Sequence, residues 1–335
     1  MSGIVVVTGA GAGVGRAVAE EFARHGWSVA LLSRDLGRLE RAASQLGDRF
    51  GVRALAIPTD VASAEAVEAA ADRVERELGP IHTWVNAAMA TVFAPVSSLT
   101  AQEVERGTRV TYLGAVHGMM AALQRMRSRN KGVIVNVGSA LAYRSIPLQS
   151  IYCGAKSAIR GFTDSLRSEI LHDNLAIQLS MVDLPAINTP QFDWALNKTG
   201  RRSQPVPPIF QPEVAARAIF FAATHKRRDI WVGLSTVKAI LANRIVPGLL
   251  DRYLAKAGYS GQLTDETLPP NAPSNLFEPV PGRYGAHGRF DARARNASSA
   301  MFTERHRAAM IVTLALLTGF ALHRLITPSN RRAAR

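Results

Sequence analysis

Thr8-Gly9-Ala10-Gly11-Ala12-Gly13-Val14-Gly15 is the stretch on which the reading of the fold turns. It follows a short β-branched run at 3–7 and precedes a helix expected over 13–25. Glycines between a strand's end and a helix's start let the backbone approach an anionic group closely. The helix N-terminus adds free N–H groups and the positive end of its dipole. Such a site suits the pyrophosphate of a dinucleotide, held here by Thr8, Gly9, Gly11, Ala12, Gly13, Val14 and Gly15. The spacing is G-x-x-x-G-x-G rather than G-x-G-x-x-G, and a glycine-rich turn by itself also closes strands for steric reasons. Its place after the first strand favours the binding role.

Outward from this turn the chain alternates. Strands are expected at 28–32, 53–57, 82–86, 133–137, 176–182 and 230–232, and helices at 36–46, 63–78, 100–127, 150–172 and 212–224. Parallel strands need crossover helices, so seven apolar strands separated by helices predict an α/β fold: a Rossmann-like, doubly wound parallel sheet. Of the 335 residues, 47% are hydrophobic and 20% charged, which excludes a disordered chain. A single cysteine, Cys153, excludes a disulfide framework and a Cys-rich metal centre, and is read as a packed helix residue rather than a reactive thiol. The eight histidines show no paired ligand spacing, so no metal is expected. Met1-Ser2-Gly3 runs straight into the first strand without a basic, apolar leader, and a cytoplasmic location is expected.

Three regions are expected: a nucleotide-binding catalytic domain at 1–245, a Pro/Gly-rich extended arm at 246–303, and a basic-flanked apolar helix at 304–335. Residues 226–335 hold 17 Lys/Arg against 7 Asp/Glu, a net of +10 out of the chain's +14. These cations are scattered and follow no nucleic-acid motif, so no nucleic-acid partner is expected. Residues 308–322 carry no charge. As a helix they would span roughly 22 Å, short of a bilayer core of about 30 Å. Two readings stand side by side: a membrane anchor or interfacial helix at the cytoplasmic face, or a helix docked on protein.

At the end of the second strand stand Ser33, Arg34 and Asp35. A small polar residue followed by arginine suits the 2′-phosphate of NADP (NADPH), whereas an acid there would bind the ribose of NAD. NADP is the favoured reading, with Asp35 either the ribose acid or a helix cap. Asp60-Val61 and Asn86-Ala87-Ala88 fall after the third and fourth strands, at the ligand-binding edge of such a sheet.

Ser139 follows the fifth strand, and thirteen residues on Tyr152-Cys153-Gly154-Ala155-Lys156 opens a long helix. Tyr152 and Lys156 share one helical face. Hydride transfer to a carbonyl needs a proton donor for the developing alkoxide. A phenol of pKa about 10 becomes a usable base when an ammonium lowers that value, and Ser139 can hold the substrate oxygen.

With Thr8-Gly9, Gly13, Gly15, Asp60, Asn86-Ala87, Ser139, Tyr152 and Lys156, residues 3–235 resemble the short-chain dehydrogenase/reductase family. The resemblance implies that Tyr152 is the acid/base and that Lys156 binds the nicotinamide ribose and lowers the tyrosine pKa. It also implies that Ser139 orients a small-molecule carbonyl or alcohol. Three departures stand out. Ala88 ends the family's N-N-A-G, and Thr111 replaces the asparagine that helps hold a water on the proton path. Pro185-Ala186 replaces Pro-Gly before Ile187 and Thr189, where backbone contacts to the nicotinamide are implied. A homodimer or tetramer through the fourth and fifth crossover helices is implied as well. Phe192, Trp194, Leu196, Ile209 and Phe210 lie in the family's substrate-covering stretch and suggest a lipophilic pocket or plain lid packing. The alternative function is a nucleotide-binding regulator or scaffold with little turnover.

Overall fold

The computed structural model describes residues 3–305 and Thr318. Seven strands, β1 (Ile4–Thr8), β2 (Ser28–Ser33), β3 (Ala54–Pro58), β4 (Thr83–Asn86), β5 (Gly132–Ser139), β6 (Ile177–Leu184) and β7 (Asp229–Trp231), form one parallel sheet. Its order is β7-β6-β5-β4-β1-β2-β3. Strand order reverses between β1 and β4, which opens a crevice at their carboxyl ends. On β1, Val5 and Val7 enter one buried cluster while Ile4 and Val6 enter another, one on each face of the sheet. This explains why the strands read as unbroken apolar runs.

Helices α1 (Gly13–Arg24), α2 (Leu36–Phe50) and α3 (Ala64–Glu77) connect the first strands. The Asp35 side chain caps α2 and that of Ser63 caps α3, each accepting from a backbone N–H in the first turn. The single helix expected at 100–127 is a composite: α4 (Ala101–Thr108), a π-helical turn (Arg109–Leu113) and α5 (Gly114–Arg129). Then come α6 (Ser150–His172), a short α7 (Gln191–Trp194) and α8 (Pro212–Thr224).

Beyond β7 two helices, α9 (Leu234–Ile245) and α10 (Pro247–Ala257), make a hairpin. The second stands where an extended arm was expected; Pro247 at its first turn fixes φ for a helix start. The rest of the arm is irregular but anchored. Leu263–Thr267 pairs with Arg201–Ser203, Ala294–Arg295 pairs with Ile209–Phe210, and Leu276, Val280 and Phe290 are buried. A last helix, α11 (Ser299–Arg305), follows. Apart from Thr318, the apolar helix read at 304–335 lies outside the described residues beyond 305. Among the described residues no helix is long and apolar enough to cross a membrane.

Candidate active site

Local packing explains the glycine turn. Gly9 has φ +71°, and a Cβ there would stand 2.8 Å from the Ala88 backbone. A Cβ on Gly15 would meet the carbonyl oxygen of Gly9 at 2.4 Å, so only glycine lets α1 start this close to β1. The Thr8 hydroxyl accepts from the N–H groups of Ala87 (3.1 Å) and Ala88 (3.2 Å), clamping the ends of β1 and β4 together. Asn86 does not face the crevice. Trp84 Nε1 donates to its Oδ1 (2.8 Å), and its Nδ2 donates to Asn136 Oδ1 (2.9 Å), so it braces the backbone of Ala87 and Ala88 from within the core.

The crevice is lined by the glycine turn from Gly9 to Gly15, by Ser33, Arg34, Asp60, Val61, Ala87 and Ala88, and by Thr189. Sequence reading missed other parts of its wall, among them Arg38 on α2, and Asn275, Pro279 and Val280 on the arm. Arg34 donates to the carbonyl oxygens of Asn275 (2.5 Å) and Phe277 (2.6 Å). Arg38 donates to Val280 O (2.5 Å), and its guanidinium lies 5.2 Å from the ring centroids of both Trp194 and Tyr284. At the glycine turn itself, the Gly13 N–H donates to Gly285 O (3.0 Å). Desolvation lowers the pKa of both guanidinia, helped for Arg34 by the neighbouring Arg106. Asp35 accepts from Arg38 N (2.9 Å) and pairs with the Arg38 guanidinium (3.1 Å), which is the capping reading of that acid. Asp60 pairs with Arg106 (2.7 Å) and accepts from Ala62 N (3.0 Å).

A second cavity adjoins the first and shares Ala87, Met89, Thr189 and Gln191 with it. Ser139, at the end of β5, accepts from Leu141 N (3.1 Å) and so caps a short 3₁₀ turn. Ahead of α6, Leu148 adopts φ +69°, a costly conformation for leucine that is pinned where Ala94 N donates to its carbonyl (2.9 Å). This places Tyr152 in the first turn of α6 with its hydroxyl near that of Ser139, and Lys156 buried one turn on.

Two expectations about protons need correcting. Desolvation raises the Tyr152 phenol above its ordinary range, with the Ser139 hydrogen bond opposing, so the lysine is not what governs it in this geometry. Lys156 Nζ instead donates to Val137 O (2.6 Å) and lies 5.5 Å from the Tyr152 ring centroid; burial pulls the amine down to about 8, with Asp183 opposing. Nor does the Thr111 hydroxyl point along a proton path. It donates to Ala90 O (3.0 Å) and accepts from Ala90 N (2.9 Å), joining the π-helical turn to the loop after β4. Asp183 was also missed, although a lone acid in an apolar strand was its signal. Desolvation pushes it up to about 7; Tyr143 donates to its Oδ2 (2.9 Å), and Oδ1 has no hydrogen-bond partner among the described residues.

Pro185, Ala186, Ile187 and Thr189 line the second cavity, tied down because Phe210 N donates to Ala186 O and Asn188 N to Phe210 O (2.9 Å each). Other walls come from Leu141, Ile146, Val206, Leu250 and Leu254, and the empty volume is about 1400 Å³, part of it open to solvent. Of the five residues suggested for a lipophilic pocket, Phe192 lines this cavity and Trp194 lines the crevice. Ile209 and Phe210 are buried and Leu196 packs against the core, which is lid packing. Cys153 is buried. Among the described residues no group of three or more His, Cys, Asp or Glu could hold a metal.

Comparison with known proteins agrees with this geometry. The short chain dehydrogenase family model matches residues 3–199. The chain is 28% identical over 320 residues to the uncharacterized oxidoreductase YxnA of Bacillus subtilis, covering 94% of this chain and 88% of that one. It is 30% identical over 259 residues to SadH of Mycobacterium tuberculosis, covering 75% and 94%. Among solved structures, L-sorbose reductase from Gluconobacter frateurii, in complex with NADPH and L-sorbose, superposes with a TM-score of 0.61 at 26% identity over 69% of this chain and 95% of that one. A short chain dehydrogenase/reductase from Burkholderia phymatum in complex with NAD gives 0.65 at 24% identity over 75% and 95%, a likeness of fold alone.

Proposed function

Since the chain belongs to the short-chain dehydrogenase family, we propose that it is an NADP(H)-dependent oxidoreductase interconverting a carbonyl and a secondary alcohol on a largely apolar small molecule. The observation that carries this reading is the common wall of Ala87, Met89, Thr189 and Gln191. It sets Ser139, Tyr152 and Lys156 next to a dinucleotide crevice.

The chain's residues suit the cofactor. The glycine turn lines the crevice at the N-terminus of α1, which suits a pyrophosphate. Ser33, Arg34 and Arg38 cluster at the far end, where two guanidinia favour a 2′-phosphate over a bare ribose. NADPH in the L-sorbose reductase neighbour supports a nicotinamide dinucleotide, and these arginines support NADP. When bound, the nicotinamide supplies the hydride to the carbonyl carbon or takes it from the alcohol.

In reduction, Ser139 holds the substrate oxygen and Tyr152 gives it the phenol proton; in oxidation Tyr152 takes that proton back. Lys156 binds the nicotinamide ribose and supplies positive charge beside the phenolate that forms. The apolar walls exclude water and favour a lipophilic substrate.

The test mixes purified protein and NADPH with a panel of ketones and follows absorbance. A regulator or scaffold would bind NADPH and oxidise none of it with any ketone. Assembly into a dimer or tetramer through α4, α5 and α6, a cytoplasmic location, and membrane contact through 308–322 belong to the same proposal, supported by the family pattern and the tail's composition.

A further inference from the structure

Helices α9 and α10 take no part in the chemistry above, and they carry large apolar side chains on their outer faces as well as their inner ones. A surface helix normally turns its apolar stripe inward. Here Leu241 is 48% exposed, Ile245 77%, Leu249 60% and Tyr253 64%, and none of the residues of α10 is buried. The spacing makes stripes of them: 238, 241 and 245 share one face of α9, and 249, 252, 253 and 256 share one face of α10. Four exposed cations, Lys238, Arg244, Arg252 and Lys256, lie among these apolar side chains. The one acid of the hairpin, Asp251, pairs with Arg144 at 2.5 Å.

The same hairpin walls the second cavity from its inner side with Thr236, Ala239, Leu250 and Leu254, and Tyr253 both lines the cavity and reaches solvent. Near the start of α9 the Gly233 N–H donates to Ser298 Oγ (3.1 Å), so α11 departs from beside this hairpin, three residues ahead of the charge-free sequence 308–322.

We propose that the α9–α10 hairpin docks on an anionic lipid bilayer. Ile245, Leu249 and Tyr253 enter the headgroup–acyl boundary, and the four cations meet lipid phosphates. A second copy of the chain is a poorer occupant, because a two-fold contact would set these cations against their own kind. Cations around a bare apolar stripe are complementary to anionic headgroups instead. If the cavity is the substrate site, a reading on which this second step rests, an apolar ketone or alcohol enters past Tyr253 directly from the membrane.

The experiment is flotation of the full-length protein with phosphatidylcholine vesicles, with and without phosphatidylglycerol, comparing wild type with an Ile245→Glu/Leu249→Glu variant. Wild type is expected to float with the anionic vesicles, less so at high salt. The variant should lose at least tenfold in bound fraction while keeping its circular dichroism and its NADPH binding. Absence of wild-type flotation overturns the proposal, as does equal flotation of the variant, which would assign docking to the tail. A wild-type oligomer that the variant dissociates, without lipid binding by either, would make this face a subunit contact and overturn it too. Vesicle binding is read without turnover, so failure of the redox assignment would appear separately, in the ketone assay.

Discussion

The Arg34 guanidinium and the Phe277 carbonyl oxygen lie 2.6 Å apart across 243 residues of sequence. The arm thereby closes over the end of the crevice where a 2′-phosphate would bind, and it does so with backbone oxygens. Arg34 is therefore an anchor for the arm as well as the residue proposed to bind the cofactor. Replacing Arg34 with leucine should raise the Kd for NADPH at least about tenfold, the scale of a lost charge-assisted hydrogen bond, while the Kd for NADH stays within about threefold. Fluorescence titration with both nucleotides checks this; equal losses would take the 2′-phosphate role away from Arg34.

Tyr152→Phe keeps the ring on α6 and removes only the hydroxyl. Turnover with any accepted ketone should fall by about 10² to 10⁴, the range of general acid–base catalysis, with NADPH affinity unchanged. Stopped-flow measurement of NADPH oxidation tells chemistry from binding.

Asp183 gives stability a pH dependence of determined sign. Its carboxyl is raised from 3.8 to about 7, so the folded state binds more protons than the unfolded state between those values. Stability contributed by this group is present below pH 4 and declines as pH rises toward 7. Asp183→Asn removes the ionisable group. The variant should be more stable than wild type at pH 8, on the order of a few kcal/mol, and the gain should shrink at pH 4. Melting temperatures across that range are the check; parallel curves would contradict it.

Thr111 satisfies both backbone groups of Ala90 through one hydroxyl. Thr111→Ala leaves a buried N–H and a buried C=O unpaired, at a cost of about 1–3 kcal/mol, and the melting temperature should drop accordingly. Thr111→Asn, whose amide can both donate and accept, should recover most of the loss. No rescue would mean that the threonine is needed for its shape.

The glycine turn and the strand–helix alternation were legible because backbone approach and layer packing demand particular residue types. Ser139, Tyr152 and Lys156 were legible by spacing. The electrostatics around them were not, because the direction of Lys156 Nζ toward Val137 and the depth of Tyr152 depend on tertiary burial. Arg38 lies in the first turns of the helix that follows Arg34 and could have been found by that nearness. The arm could not, since its crevice contacts are carbonyl oxygens, which every residue type carries. Pro247–Ala257 was hidden for another reason: apolar residues on both its inner and outer faces blur the one-sided stripe by which a helix is read.

The Gly13 N–H already donates to Gly285 O, so a dinucleotide held as proposed would be the arm's rival for that donor. Rivalry of this kind is reciprocal: the free energy by which the nucleotide loosens residues 275–285 equals that by which the arm weakens the nucleotide. Limited proteolysis of that segment therefore becomes a gauge of occupancy, its cutting rate climbing as NADPH is titrated in.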